Sequence, residues 1–418
     1  MPLRVRRPLL PLSRRFCSTS LLSHRATRVT LHASDSTRTD VSIVPVSTLS
    51  APAHVQARAW TATGDALDVA RLFQLDVDGT SDGHQSLRLV KTRAADVALE
   101  LVLPRHVALD IVLANGRVAL VDTVEGDVKV VVQHGDISAH KVRGHEVFLS
   151  TNHGTIDIAA LVEAETVHLQ AQDGIQCKRL MAKQATVKLG KGDQSTAACC
   201  STFGALYVSS CSIGAAKRSG GESRLHVGNV HGHLQVKSEG LDRVQVDSVS
   251  GTIDVQDQGD KCHVTAHFDS WTNDSCSSIV VAGDVHVSLQ PAAPMDVELH
   301  GTEITIGKHC AFRSRNMDQL EEDYAVFTAN LCAQEEAAVG TASTGKINVG
   351  SAKQDALRTS FFMKEAGGDD EAYDGSKPSR LFVHSQRGAV TLEQLTWMDN
   401  IKRKYVKQSK RSENPIEG

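Results

Sequence analysis

A glycine followed by alternating apolar and polar residues recurs along this chain. It reads Gly126-Asp127-Val128-Lys129-Val130, Gly154-Thr155-Ile156-Asp157-Ile158, Gly232-His233-Leu234-Gln235-Val236 and Gly251-Thr252-Ile253-Asp254-Val255. Gly283-Asp284-Val285-His286-Val287, Gly345-Lys346-Ile347-Asn348-Val349 and Gly388-Ala389-Val390-Thr391-Leu392 repeat it. A second alternating run precedes several of these, at Val147-Phe148-Leu149, Val167-His168-Leu169, Val187-Lys188-Leu189, Leu225-His226-Val227 and Val244-Gln245-Val246. Alternation with period two places Val147 and Leu149 on one side of a strand and Phe148 on the other. The glycine supplies a turn with positive φ or a close backbone approach.

The spacing turns these strands into an architecture. Val147, Val167 and Val187 recur at an even step, and the steps from Leu225 to Val244 and from Gly232 to Gly251 are one position shorter. One repeat of about 19–20 residues therefore gives two short strands and two turns. Such a unit cannot bury its apolar side alone, but stacked copies line a continuous interior. An antiparallel sandwich also uses short alternating strands. A register held this evenly favours the other solution: an all-β parallel β-solenoid (β-helix), with a C-terminal capping helix.

The motifs Leu103-Pro104, Asn115-Gly116-Arg117-Val118, Glu125-Gly126-Asp127-Val128, His134-Gly135-Asp136-Ile137 and Asn152-His153-Gly154-Thr155-Ile156 carry a family likeness. This stretch resembles the "putative-adhesin" family of β-solenoid domains of unknown function, over residues 97–310 with a final piece at 340–395. The resemblance implies the solenoid fold and a relative of eukaryotic mitochondrial type. It implies no catalytic residues, and fold does not carry function with it.

Composition agrees with a narrow interior. Large rings are scarce (10 Phe, 3 Trp, 4 Tyr), so Val, Ile and Leu must fill the core. Charge is unevenly placed. Residues 1–34 hold Arg4, Arg6, Arg7, Arg14, Arg15, Arg25 and Arg28 and no acid, which reads as a mitochondrial presequence with Leu12, Phe16, Leu21 and Leu22 as its apolar side. The matrix is the expected location. The remaining chain has 38 Lys and Arg against 49 Asp and Glu, and an acidic body disfavours nucleic acid. No window is long and apolar enough for a membrane-spanning helix.

Between the repeats, 35–59 reads as a linker, 60–113 as an N-terminal β cap, and 114–310 as the adhesin-like solenoid. Residues 311–340, with Met317, Leu320, Tyr324, Phe327 and Leu331, read as a helical insertion. Residues 341–395 read as terminal β rungs and 396–418 as a C-terminal helix and basic tail, with Leu395, Met398, Ile401 and Tyr405 near one face. Loops are expected at 190–203, 214–222 and 269–278.

Few residue groups suggest chemistry. His134, His153 and His231 each precede a turn glycine, and His134 and His153 are one rung apart, so their rings could form a column. No third ligand is fixed beside them. Asp76, Asp78, Asp82 and Gly83 suggest a calcium loop, but Leu89 stands where the bidentate Glu is required. The outward positions read as one column of Asp157, Gln235, Asp254, His286 and Asn348, and another of Phe148, His168, Lys188 and Gln245. They offer neither paired carboxylates nor an aromatic stripe. The chain has no C-x-x-C, nucleophile elbow, phosphate loop or dinucleotide fingerprint, and Cys199-Cys200 has no motif-linked histidine. Outside the presequence the cysteines read as free thiols, several in the core. The expectation is a non-catalytic scaffold or protein-interaction protein with an unknown protein partner, and no catalytic, cofactor or metal residues. A carbohydrate-binding or carbohydrate-active solenoid is the competing class.

Overall fold

The computed structural model describes residues 20–22, 26–46, 55–61, 63–79, 85–190, 200–216, 222–271, 274–291, 294–321, 323–332, 378–396, 398–399 and 402. Within them the chain winds into two-stranded rungs. Equivalent strands of stacked rungs pair in parallel, forming two walls around one interior. A first-wall strand such as Val128–His134 turns a corner into a second-wall strand such as Ile137–Arg143. The next rung repeats this with Glu146–His153 and the start of Thr155–Ala171. From there to residue 257 the second strand of one rung bends directly into the first strand of the next, as in Gly174–Leu189 and Arg243–Asp257.

The period-two pattern fixes which side is inside. Val128, Val130 and Val132 stack on Val147, Leu149 and Thr151 in register, and all are buried. Ile137, Ile156 and Ile175 do the same in the second wall, at equal steps along the chain. One spacing differs from expectation. Val187 faces Leu169 and not Val167, so that rung is two positions shorter than the even spacing predicts. A slip of two keeps every side chain on its face, which is why the sequence tolerates it.

The recurrent Gly-Asp pair is explained at the corners. Gly135 has φ +140°, and a Cβ there would lie 1.7 Å from the carbonyl oxygen of Gly116 in the rung below. Only glycine permits that approach. The aspartate that follows ties rung to rung: Asp136 Oδ1 accepts from Thr155 N at 3.0 Å, and Asp127 Oδ1 accepts from His145 N and Glu146 N at 3.0 Å each.

Both ends depart from sequence order. The rung Ala26–Ala33 with Thr39–Val46 lies one place in from the N-terminal end, paired in parallel with Gln85–Lys91 and Val97–Pro104 outside it and with Ala108–Asn115 and Val118–Glu125 inside it. Antiparallel strands close that end: Phe73–Gly79 on the first wall, and Val55–Trp60 on the second. At the other end the rung Ser379–Ser385 with Ala389–Gln394 is inserted between Cys276–Val281 with Val285–Leu289 and the outermost Met295–Gly301 with Glu303–Ile306. The hairpin Phe312–Glu321 and Tyr324–Leu331 closes it by antiparallel pairing to Met295–Gly301.

These pairings correct several expectations. The stretch 1–34 cannot be wholly a removable presequence within this fold, because Val29 and Leu31 are buried core residues of a rung. Residues 35–59 contain two strands of the stack and are not a plain linker; polar loop residues around them conceal the alternation of Val41 and Ile43. Residues 60–113 hold cap strands, a short helix Val69–Leu72, one full rung and most of the first strand of the next. The expected helix in 311–340 is a β-hairpin. Ala325, Phe327, Ala329 and Leu331 alternate inward, and that period outweighs the helical spacing, leaving Met317 and Leu320 exposed at 45% and 41%. The Gly345 motif and the Asp82-Gly83 turn lie outside the described residues, as does most of 396–418. Met398, expected on the buried face of a C-terminal helix, is 53% exposed, and no such helix is established.

The two outward columns expected from the sequence are also regrouped. Gln235 and Asp254 are neighbours on the first wall, whereas Asp157 and His286 belong to the second. Phe148 does face His168, but Lys188 faces Gln170, and Gln245 is on the second wall.

Candidate functional site

Some outward residues form short polar ladders between rungs. On the first wall His233 Nδ1 meets Thr252 Oγ1 at 2.8 Å, Gln235 Nε2 donates to Asp254 Oδ2 at 3.2 Å, and Ser278 Oγ donates to Asp254 Oδ1 at 2.6 Å. These bonds tie neighbouring rungs together on that stretch of the wall.

The histidine column exists for two of its three members. His134 and His153 stack with centroids 4.6 Å apart and planes 2° from parallel, in register with Asn115. His231 sits at a different corner and stacks on Tyr207 at 4.6 Å. Among the described residues no group of three His, Cys, Asp or Glu side chains is placed to hold a metal. The rings pack as a ladder.

A Ser-His-Asp arrangement on the second wall has no signature in the sequence. His267 Nδ1 lies 2.7 Å from Ser288 Oγ, and Nε2 lies 3.0 Å from Asp269 Oδ1. The Ser248 hydroxyl donates to the other oxygen of Asp269. This set resembles a nucleophilic triad in connectivity. Ser288 is only 4% exposed, however, and a nucleophile must reach its substrate. We read it as an internal polar cluster at the place where the second-wall strand shifts register between Val246 and Val249.

A different character appears where the inserted rung meets the outermost one. Asp296, Glu298 and His300 alternate outward along Met295–Gly301, and Arg380, Phe382 and His384 alternate outward along Ser379–Ser385. Register pairs Asp296 with Arg380, Glu298 with Phe382 and His300 with His384. On the other side the hairpin pairs Asp296 with Asn330 and Glu298 with Thr328. Four rings gather here: His300 lies 5.4 Å from Phe382, 5.6 Å from His384 and 6.1 Å from Tyr324. His300 bridges the cluster through Nε2 to Glu298 Oε1 at 2.7 Å and Nδ1 to the Tyr324 hydroxyl at 2.9 Å. Burial, aided by the Glu298 charge, raises the Tyr324 hydroxyl pKa; burial and the neighbouring His300 lower that of His384. Beside the rings a groove of about 270 Å³ runs along Asp296, Glu298, Thr328, Asn330, Ser314, Asn316 and Arg380.

No sequence motif marks these residues for chemistry. Asp296, Glu298 and His300 precede the expected helix, and Arg380, Phe382 and His384 lie far downstream of it. The available signal is the alternation Asp296-Val297-Glu298-Leu299-His300, matched by Arg380-Leu381-Phe382-Val383-His384. What brings them together is the insertion of the later rung.

The cysteines offer little chemistry. Among the described residues Cys177, Cys200, Cys211, Cys262, Cys276, Cys310 and Cys332 are free thiols. Burial pushes the Cys177 and Cys211 pKa values up to about 12, so these thiols stay protonated and inert.

Comparison with known proteins bears on the fold. No curated protein matches the chain. A solved structure, described as a "putative cell adhesion protein" from Clostridium sporogenes, is 7% identical over 90% of this chain and 98% of its own, with a TM-score of 0.18. The family model described as Toastrack DUF4097 matches residues 35–275, more than half of the sequence and most of the stacked walls, including the stretch 35–59 that reads as a linker from sequence alone. The chain belongs to the Toastrack DUF4097 family.

Proposed function

We propose that this chain is a non-catalytic, adhesin-like scaffold that presents its outer wall to a protein partner. The observation that carries this reading is the first wall itself. It is an unbroken parallel sheet from Gln85–Lys91 to Met295–Gly301, and along it His233, Gln235, Thr252, Asp254 and Ser278 are linked from rung to rung on the outward face. A surface preorganised in this way loses little side-chain entropy on binding. The burial of Ser288 within its network supports the absence of catalysis.

Proximity labelling from the tagged full chain tests the reading. One protein should be labelled reproducibly, and charge reversal at Lys129 and Lys188 on the first wall should reduce its labelling while the melting temperature stays put. Labelling indifferent to the wall variants would sink it. A mitochondrial address is part of the proposal and would reside before Ala26, ahead of the first full rung. A reporter carrying residues 1–25 should enter mitochondria, and secretion of that reporter would refute the address.

A carbohydrate-binding solenoid is the second reading. It is favoured by the ring cluster of His300, Tyr324, Phe382 and His384 beside Asp296 and Glu298. These supply the rings and carboxylates whose absence from the outward columns counts against sugars.

A further inference from the structure

The groove at the inserted rung carries hydrogen-bonding capacity that the fold leaves unused. Glu298 is 9% exposed; its Oε1 accepts from His300, and its Oε2 is buried with no hydrogen-bond partner. One strand away, Asn330 donates from Nδ2 to Asp296 Oδ1 at 2.6 Å, while its own Oδ1 is also buried without a partner. Both residues line the same groove. A buried carboxylate oxygen without a donor is costly, and a ligand that supplies one recovers that cost on binding.

We propose that this groove seats a basic side chain, arginine above all, from an extended segment of a partner protein. The proposal rests on the reading of the chain as a binding scaffold and names the chemistry its partner brings. Both orphaned atoms are acceptors, so the ligand must donate. A guanidinium carries five N–H donors and no acceptor, in a planar fork suited to a carboxylate. A sugar hydroxyl would bring acceptor lone pairs that the two orphaned oxygens do not need.

Charge and shape agree with that occupant. On the outward face Arg380 stands in register with Asp296, whereas Glu298 faces Phe382 on one side and Thr328 on the other, so no arginine stands opposite the Glu298 carboxylate in register. Arg315 lines the groove too, on the hairpin strand, where alternation sends its side chain to the opposite face from Ser314 and Asn316. Beyond residue 34 the chain holds 38 basic and 49 acidic residues, which draws basic partners towards it. A bare metal ion is the poorer fit, because no trio of His, Cys, Asp and Glu among the described residues is placed to hold one.

The test uses the full chain and the peptide acetyl-Gly-Ser-Arg-Ser-Gly-amide, followed through the imidazole NMR signals of His300 and His384. The peptide should shift both signals saturably. Its citrulline counterpart, which keeps the shape and loses the charge, should not. Glu298→Gln should weaken binding by about tenfold or more. Equal shifts from arginine and citrulline peptides would overturn the proposal, and so would no shift from either. Saturable binding of methyl glycosides or of calcium chloride at the same signals, in place of the peptide, would overturn it too. If Glu298→Gln fails to fold, the citrulline comparison on the unaltered chain still decides. Partner labelling that survives Glu298→Gln and falls with the Lys129 and Lys188 reversals would reject this groove while keeping the scaffold reading. Absence of any labelled partner would reject the scaffold reading, and the peptide titration would still decide the groove.

Discussion

The two ends of the stack are built on one plan by different chemistry. Followed inward from either end, the chain lays down an inner rung, an antiparallel cap and an outer rung, then passes back to the body. At the N-terminal end the inner rung is 26–46 and the outer rung 85–104; at the C-terminal end they are 379–394 and 295–306. A solenoid end exposes unpaired strand edges, and reversing the chain into antiparallel strands covers them. The inner rungs are locked differently. At the N-terminal end Lys91, whose side chain is fully buried, gives its three donors to Asp35 Oδ1, Thr37 Oγ1 and Thr39 Oγ1 at 3.1, 2.6 and 2.8 Å. At the C-terminal end the neutral Ser385 hydroxyl donates to Gly283 O and accepts from Gly388 N, at 2.8 and 2.9 Å. One end is held by a buried ion and the other by a hydroxyl. The hydroxyl-held end is the end that carries the groove.

Breaking the inner rungs themselves should have the largest effect. Leu31→Asp and Val383→Asp each bury an unpaired charge in a fully buried position and should cost roughly 3–5 kcal/mol. The consequences should differ. Among the described residues, Met295–Gly301 and Glu303–Ile306 reach the body of the stack only through the inserted rung, so Val383→Asp should strip hydrogen-exchange protection from 295–331 and leave 128–250 protected. Deleting residues 1–19 removes no described strand and should leave melting unchanged, whereas deleting 1–34 should collapse the N-terminal end. Equal melting of the two truncations would return 1–34 to the status of a dispensable leader.

The locks come next. Lys91→Met leaves Asp35 and two threonines without their buried donor and should cost roughly 3 kcal/mol. Ser385→Ala removes a neutral hydrogen-bonding group and should cost about 1–2 kcal/mol. Chemical denaturation of both variants measures the difference. If Ser385→Ala proved the more damaging, the ranking of the two ends would be reversed. Between them lies Gly116→Ala, which presses a Cβ to within 1.9 Å of Thr39 O at φ +140°, for a loss of roughly 1–3 kcal/mol.

The body of the fold is legible in the sequence because each rung repeats a local rule. Gly135-Asp136-Ile137 and Gly154-Thr155-Ile156 announce a corner and an inward residue without reference to distant sequence. The His134 and His153 pair follows from the same rule, one rung being one step in space. The ends are not legible, because their neighbours are set by which rung is inserted where. Nothing within Ser379–Ser385 says that its partners are Cys276–Val281 and Met295–Gly301. The groove inherits that obscurity: Glu298, Asn330 and Arg380 are ordinary outward residues until the late rung and the hairpin flank the outermost strand. Helical spacing at Met317, Leu320, Tyr324 and Phe327 adds a false signal, since a hairpin turn shifts phase between two period-two runs.

The smallest expected effect separates the ends by pH. His384 lies against His300, Tyr324 and Phe382, and burial together with His300 holds its pKa below the ordinary value of 6.5. Its folded form therefore takes up a proton less readily than its unfolded form. Well above pH 6.5 both are neutral and the group contributes no pH dependence. As pH falls below 6.5 the unfolded chain binds more protons, so stability declines until the folded pKa is passed. The N-terminal lock contains no imidazole; it consists of Lys91, Asp35 and two threonines. Hydrogen exchange compared at pH 7.5 and 5.5, corrected for intrinsic rates, should show lost protection at 295–301 and 379–385 while 26–33 is unchanged. His384→Phe should flatten the difference, because a phenyl ring keeps the packing and has no proton to gain. Equal loss at both ends would mean that acid acts on the whole stack, and the charge-held end would no longer stand apart from the hydroxyl-held one.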